Sequence, residues 1–130
     1  MAKTGIVRKL SGLVVLEFTV ESGGEAQGTI RKIQDTHGLV WDAEETFSKT
    51  LTAGKTGTAI VKCDEALLPK VTGSGTAFAI GDTIWFSEAN LNVSPTESVT
   101  YDKNIGSATQ VAAITDTGVY GQFDFNYYAA

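Results

Sequence analysis

Leu68-Pro69-Lys70-Val71-Thr72-Gly73-Ser74-Gly75-Thr76-Ala77-Phe78-Ala79-Ile80-Gly81-Asp82-Thr83-Ile84-Trp85-Phe86 is the stretch whose reading decides the fold. Pro69 biases Leu68 towards an extended conformation. Gly73-Ser74-Gly75 then marks a flexible turn, and Gly81-Asp82 marks a second one that launches the aromatic strand Ile84-Trp85-Phe86. An extended segment, two turns and a strand within nineteen residues leave no room for a helix.

The same grammar runs outward in both directions. From Leu13 to Val20 the sequence alternates, with Val14, Leu16, Phe18 and Val20 on one face and Val15, Glu17 and Thr19 on the other. A turn at Ser22-Gly23-Gly24-Glu25 and a return strand from Gly28 to Ile33 predict a hairpin between these two segments. Gly38 to Trp41 predicts a short apolar strand, with His37 as a turn residue before it. Asp42 to Phe47 reads as an acidic loop. Gly57 to Cys63 is a further strand, and Asp64 to Leu68 a separate short piece. Downstream, Leu91 to Ser94 and Val99 to Tyr101 are strand-like, and the latter only weakly so. Ile105 to Ile114 is a small apolar run in which Gly106, Ala108, Ala112 and Ala113 imply tight packing. After a turn at Asp116-Thr117-Gly118, Val119 to Tyr127 sets Val119, Gly121, Phe123, Phe125 and Tyr127 on one face. Turns recur roughly every dozen residues, the spacing of an all-β sandwich or small barrel.

A chain of 130 residues with 42% hydrophobic residues supports one domain with its own core. Residues 13–130 are expected to form a single β-domain, with residues 1–12 as an N-terminal arm. The net charge of −5 excludes the basic footprint of a nonspecific nucleic-acid binder and argues against an anionic membrane surface. Lys3, Arg8 and Lys9 nevertheless crowd the beginning of the chain, and nothing after Lys103 is basic. The single cysteine, Cys63, permits no internal disulfide, and no stretch has the length of a signal peptide core or a membrane span. Synthesis and assembly are therefore expected in a cytoplasm.

Motifs with chemical meaning fail on their context. Gly54-Lys55-Thr56 ends like a phosphate loop, but Lys49 stands where its first glycine is required, and a β-run follows instead of a helix. Gly73-Ser74-Gly75 opens like a dinucleotide fingerprint, but Phe78 replaces the third glycine. His37, the only histidine, has no serine in a strained elbow to serve, and with Cys63 it lacks the paired spacing of a zinc site. The acidic groups Asp42-Glu44-Glu45 and Asp64-Glu65 lack the glycine punctuation of a calcium loop. No cofactor, metal or catalytic residue is expected, and an enzyme is not. Tyr127 and Tyr128 bring aromatic surface to the chain end, where a subunit contact is as good an explanation as core sealing.

In the order in which they occur, these features resemble a family of small capsid decoration, or cement, proteins of tailed bacteriophages. Leu68-Pro69-Lys70, the Gly73 to Phe78 turn and Gly81-Asp82-Thr83-Ile84-Trp85 carry the resemblance. It continues through Asn92-Val93, Ile105-Gly106, the alanines from Ala108 to Ala113, and Gly118-Val119-Tyr120-Gly121-Gln122-Phe123. It covers most of the chain from Gly38 to Phe125 and consists of glycines and hydrophobics without fixed chemistry. The chain departs from the pattern in its basic N-terminal segment and in a long insertion from Asp42 to Lys55.

The resemblance implies a β-rich domain on the outer surface of a virion. There it would bridge major capsid protein subunits and stabilise the shell as a homo-oligomer, a trimer before a dimer. The residues expected at capsid or subunit contacts are Lys3, Ile6, Arg8, Lys9, Leu10, Tyr127 and Tyr128. Two other classes remain open. One is a carbohydrate-binding or host-attachment module that uses Trp41, Trp85 and the terminal tyrosines as stacking platforms. The other is a small hydrolase built on His37 and a carboxylate.

Overall fold

A computed structural model describes residues 7–9, 12–21, 24–41 and 50–125. Among these residues eleven strands follow one another: β1 (Val7–Lys9), β2 (Val14–Thr19), β3 (Glu25–Ala26), β4 (Ile30–Ile33), β5 (Thr36–Val40), β6 (Thr50–Leu51), β7 (Thr56–Pro69), β8 (Thr83–Ser87), β9 (Asn92–Ser94), β10 (Lys103–Ala108) and β11 (Gly118–Asp124). The all-β reading is therefore correct, and the sheet curls into a nearly closed small barrel.

β7 organises the molecule. Its fourteen residues exceed the usual strand length of about five or six. Along one edge it pairs first with β2 and then with β1; along the other it pairs with β5 and then with β11. From β11 the sheet continues through β10 and β8 to β9. β9 then returns to the far end of β7. Lys70 forms a parallel bridge with Val93, and the Val71 N–H donates to the Val93 carbonyl at 3.0 Å. That contact brings the barrel of β7, β11, β10, β8 and β9 close to closure.

Side chains fill the barrel. Leu68, Phe78, Ile84, Phe86, Val93, Ile105, Phe123 and Phe125 belong to one buried cluster. Phe86, Phe123 and Phe125 meet edge to face with ring centres 5.1 and 5.2 Å apart, the arrangement aromatic quadrupoles favour. The face of β11 expected to be buried, with Val119, Gly121 and Phe123, is buried. Tyr120, on the opposite face, is buried as well, because β11 is covered on both sides along this part.

Four expectations about local structure are corrected. β2 does not form a hairpin with the segment that follows it; it pairs with β7, and β4 instead pairs with β5. The β4–β5 turn lies at Gln34-Asp35, with Gln34 at φ 54°, so His37 is a strand residue and not a turn residue. The strand beginning near Gly57 does not stop at Cys63 but runs through Asp64-Glu65 to Pro69. Val99 to Tyr101 is not a strand. The Ser98 N–H donates to the Tyr101 carbonyl at 3.1 Å and the Tyr101 N–H to Ser98 Oγ, also at 3.1 Å, making a turn with Val99 97% exposed.

The expected arm divides. Val7–Lys9, which carries Arg8 and Lys9, is a strand of the main sheet, with Val7 opposite Ala66 and Lys9 opposite Glu65. Lys3, Ile6 and Leu10 lie outside the described residues, as do the Asp42 to Phe47 loop and Tyr127 and Tyr128.

Candidate interaction surface

The deciding stretch of sequence and the segment before β11 build one end of the barrel together. Phe78 and Ala112 form an antiparallel bridge, with each backbone N–H donating to the other's carbonyl at 2.9 and 3.0 Å. Both side chains point into the core. Side chains alternate along an extended chain, so Ala77, Ala79, Val111 and Ala113 face solvent, and all four are exposed.

Each chain then closes a turn of the same design. In Ala79-Ile80-Gly81-Asp82, the Asp82 N–H donates to the Ala79 carbonyl at 3.1 Å, and Asp82 Oδ2 accepts from the Ala79 N–H at 2.8 Å. In Ala113-Ile114-Thr115-Asp116, the Asp116 N–H donates to the Ala113 carbonyl at 3.1 Å, and Asp116 Oδ2 accepts from the Ala113 N–H at 2.9 Å. Aspartate is suited to this task because its short carboxylate reaches back to a backbone donor without straining the chain. The two turns are related by a local two-fold axis through the Phe78–Ala112 bridge. Each presents an isoleucine: Ile80 is 70% exposed and Ile114 45%, and Val111, next to the bridge, is 67% exposed. The sequence contains this repeat plainly as Ala-Ile-x-Asp at 79–82 and 113–116. It escapes a search for strand periodicity because it is a turn motif.

Lys70 anchors this end from below. Its side chain is buried, and Nζ donates to the Val71 carbonyl at 2.7 Å, to the Asp116 carbonyl at 3.2 Å and to Thr76 Oγ1 at 3.3 Å. Thr76 Oγ1 in turn donates to the Gly73 carbonyl at 2.6 Å. A buried ammonium requires such oxygen partners, since leaving it unsolvated is expensive. One side chain thus ties the end of β7 to both turn-bearing segments.

The charge of the chain is divided unevenly about this point. Up to Lys70 the acidic and basic residues balance. After it Lys103 is the only basic residue, against Asp82, Glu88, Glu97, Asp102, Asp116 and Asp124. Lys103 Nζ itself lies 3.9 Å from Glu88 and from Asp102.

The other candidate residues are placed as follows. His37 is buried in β5 against Phe86, with ring centres 5.0 Å apart, and burial pushes its pKa below the ordinary 6.5. Cys63 is buried in β7, and burial pushes its thiol pKa up. Glu65 is buried and accepts hydrogen bonds from Thr109 Oγ1 and, at 3.4 Å, from Gln110 Nε2. Cys63 and Glu65 lie two residues apart on β7 and His37 lies on β5, and no group of three or more potential metal ligands occurs among the described residues. Trp41 packs against the core and Trp85 is half-buried on β8. An open groove of about 310 Å3 lies over β10 and β11, where Gly106 has no side chain, with Lys62, Gln122 and Asp124 at its edges. No helix among the described residues is long and apolar enough to cross a membrane.

No protein-family model matches the chain, and no curated protein does.

Proposed function

We propose that this protein is a structural component of a phage virion that binds the outside of an assembled capsid and stabilises the shell by bridging major capsid protein subunits. One observation supports this reading above the rest. The twin Ala-Ile-x-Asp turns display Ile80, Val111 and Ile114 on a scaffold fixed by backbone hydrogen bonds and by Lys70. Aliphatic side chains held out to solvent by a rigid frame suit docking onto another protein, where they lose water without a large ordering cost. The same reading makes the protein a homo-oligomer, a trimer before a dimer. It carries no catalytic role and no cofactor, and its place is the outer capsid surface after assembly in the host cytoplasm.

The energetics suit the task. A protein that binds only the assembled, expanded lattice stabilises that lattice by mass action. Many symmetry-related copies convert modest contacts into firm attachment. The test is to mix the purified protein with expanded, undecorated tailed-phage capsids and with unexpanded shells, and to count bound copies after sedimentation. Saturable binding to expanded capsids alone is expected. Failure to bind them, together with glycan-array binding in the absence of capsids, would replace this reading with that of a carbohydrate module.

A further inference from the structure

We infer that the outer edge of β2 is a contact between subunits, and that its occupant is β2 of a second copy of this chain, paired antiparallel about a two-fold axis at Leu16. The inference rests on the reading of the protein as a homo-oligomer and names the surface that joins two copies.

The hydrogen-bond pattern leaves this edge open. Val20 turns its backbone towards the β7 side: its N–H donates to the Lys55 carbonyl at 2.9 Å, and its carbonyl accepts from the Gly54 N–H at 2.8 Å. Backbone groups alternate sides along a strand, so Leu16 and Phe18 also turn theirs to β7, where they stand opposite Ala59 and Gly57. Val15, Glu17 and Thr19 therefore aim their N–H and carbonyl groups away from β7. Among the described residues β2 pairs with β7 alone. Open strand edges are normally blunted by brevity, basic side chains or proline. β1 and β9 are three residues long, and β4 carries Arg31 and Lys32. β2 has six residues, Val-Val-Leu-Glu-Phe-Thr, with no proline and no base, and Val14 and Val15 are 44% and 40% exposed.

The sequence of this edge fits itself. With Leu16 on the axis, Leu16 stands opposite its own copy and Val14 opposite Phe18 on one face, while Val15 stands opposite Glu17 on the other. Apolar side chains then line up across the contact, and the Val15–Glu17 pairs exchange the open backbone hydrogen bonds. An axis at Glu17 would set two carboxylates directly opposite each other, which is unfavourable; an axis at Val15 would leave Phe18 opposite Gly12. The contact is isologous and closes at two copies, so it selects the dimer over the trimer. β2 lies along residues 56–62 of β7, whereas the twin turns lie beyond the Pro69 end of that strand. A pair joined through β2 therefore keeps two twin-turn faces free, as bridging two capsid subunits requires.

The experiment measures the molar mass of the full chain by light scattering over a range of concentrations, for the natural sequence and for Glu17→Pro. That substitution removes an N–H directed away from β7, so it blocks the edge and keeps the ladder within the subunit. Far-UV circular dichroism and thermal unfolding establish that the variant is folded; if it is not, Val15→Lys takes its place. The natural chain is expected to form a dimer, and the edge variant to need at least tenfold higher concentration to do so. Leu16→Cys should give a disulfide-linked dimer on mild oxidation, because Cα atoms of a non-hydrogen-bonded pair lie about 4.5 Å apart. Val14→Cys, placed opposite Phe18, should not, and Cys63 is buried. A monomeric or trimeric natural chain, unchanged assembly of the edge variant, or cross-linking of Val14→Cys but not of Leu16→Cys would overturn the inference. Capsid sedimentation separates the two ideas. A natural dimer that ignores expanded capsids defeats the proposed function alone. Capsid binding with unchanged assembly of the edge variant defeats this inference alone. A monomeric natural chain whose capsid binding is lost in Glu17→Pro also defeats it, and gives the edge to a capsid strand.

Discussion

His37 shows how one residue translates burial into a measurable property. It is 4% exposed and lies edge-on to Phe86, and desolvation lowers its pKa below 6.5. The unfolded chain therefore takes up a proton near pH 6.5 that the folded chain resists. Stability from this residue is fully present above pH 6.5 and declines as pH falls below it, until the folded-state pKa is passed. Urea unfolding between pH 5 and 8 should show a decline of up to about 1.4 kcal/mol per pH unit below 6.5 from this residue. The decline should be smaller in His37→Gln, and an unchanged slope in that variant would contradict the assignment. Lys70 is a buried lysine whose Nζ is held by three oxygen partners. Lys70→Met should lower stability by about 2 to 3 kcal/mol. Amide exchange should accelerate first in the segments from 71 to 82 and 111 to 117; a uniform increase over the whole sheet would argue against a local tie. Neither role is visible in the sequence. A lone histidine beside a glycine looks like a turn, and a lysine after a proline looks solvated, because what decides both is the chain packed against them from elsewhere.

At the scale of elements, alternation was legible in β2, β8 and β11, which appear close to where the pattern places them, although β11 also buries Tyr120 on the face expected to be polar. β7 was not read as one strand because Asp64-Glu65 resembles a break. In the sheet Asp64 is half-exposed and Glu65 is satisfied by Thr109 and Gln110, so the charges fit without ending the strand. The hairpin expected between β2 and β4 failed for a related reason. Turn chemistry reports local reversals, whereas the partner of β2 is the long strand β7, about forty residues away. Glycine in β10 was legible as close packing, and its cause is specific. A Cβ on Gly106 would stand 1.8 Å from the Gln122 carbonyl oxygen of β11. Gly106→Ala should therefore force β10 from β11 and destabilise the domain by roughly 3 kcal/mol. Thermal unfolding checks this, and a melting temperature within a degree or so of the natural chain would show that the ladder yields at little cost.

For the whole molecule, closure between Lys70 and Val93 brings β9 back to the end of β7, while β2 on one edge of β7 and the β4–β5 hairpin on the other extend the sheet about its beginning. The all-β class follows from composition and turn spacing and was legible throughout. The twin-turn surface was not, because its members come from two segments more than thirty residues apart, united by the Phe78–Ala112 bridge and by the hydrogen bonds of Lys70. The residues first expected to make contacts, Lys3, Ile6, Arg8, Lys9, Leu10, Tyr127 and Tyr128, were chosen for their place near the chain ends. The described surface adds Ile80, Val111 and Ile114, whose side chains leave the barrel. The central claim is that this barrel works by attachment to a repeating protein shell, and counting copies on expanded, undecorated capsids tests it most directly. The account predicts a saturable, symmetry-related number of copies on expanded capsids and almost none on unexpanded ones; equal or absent binding to both would contradict it.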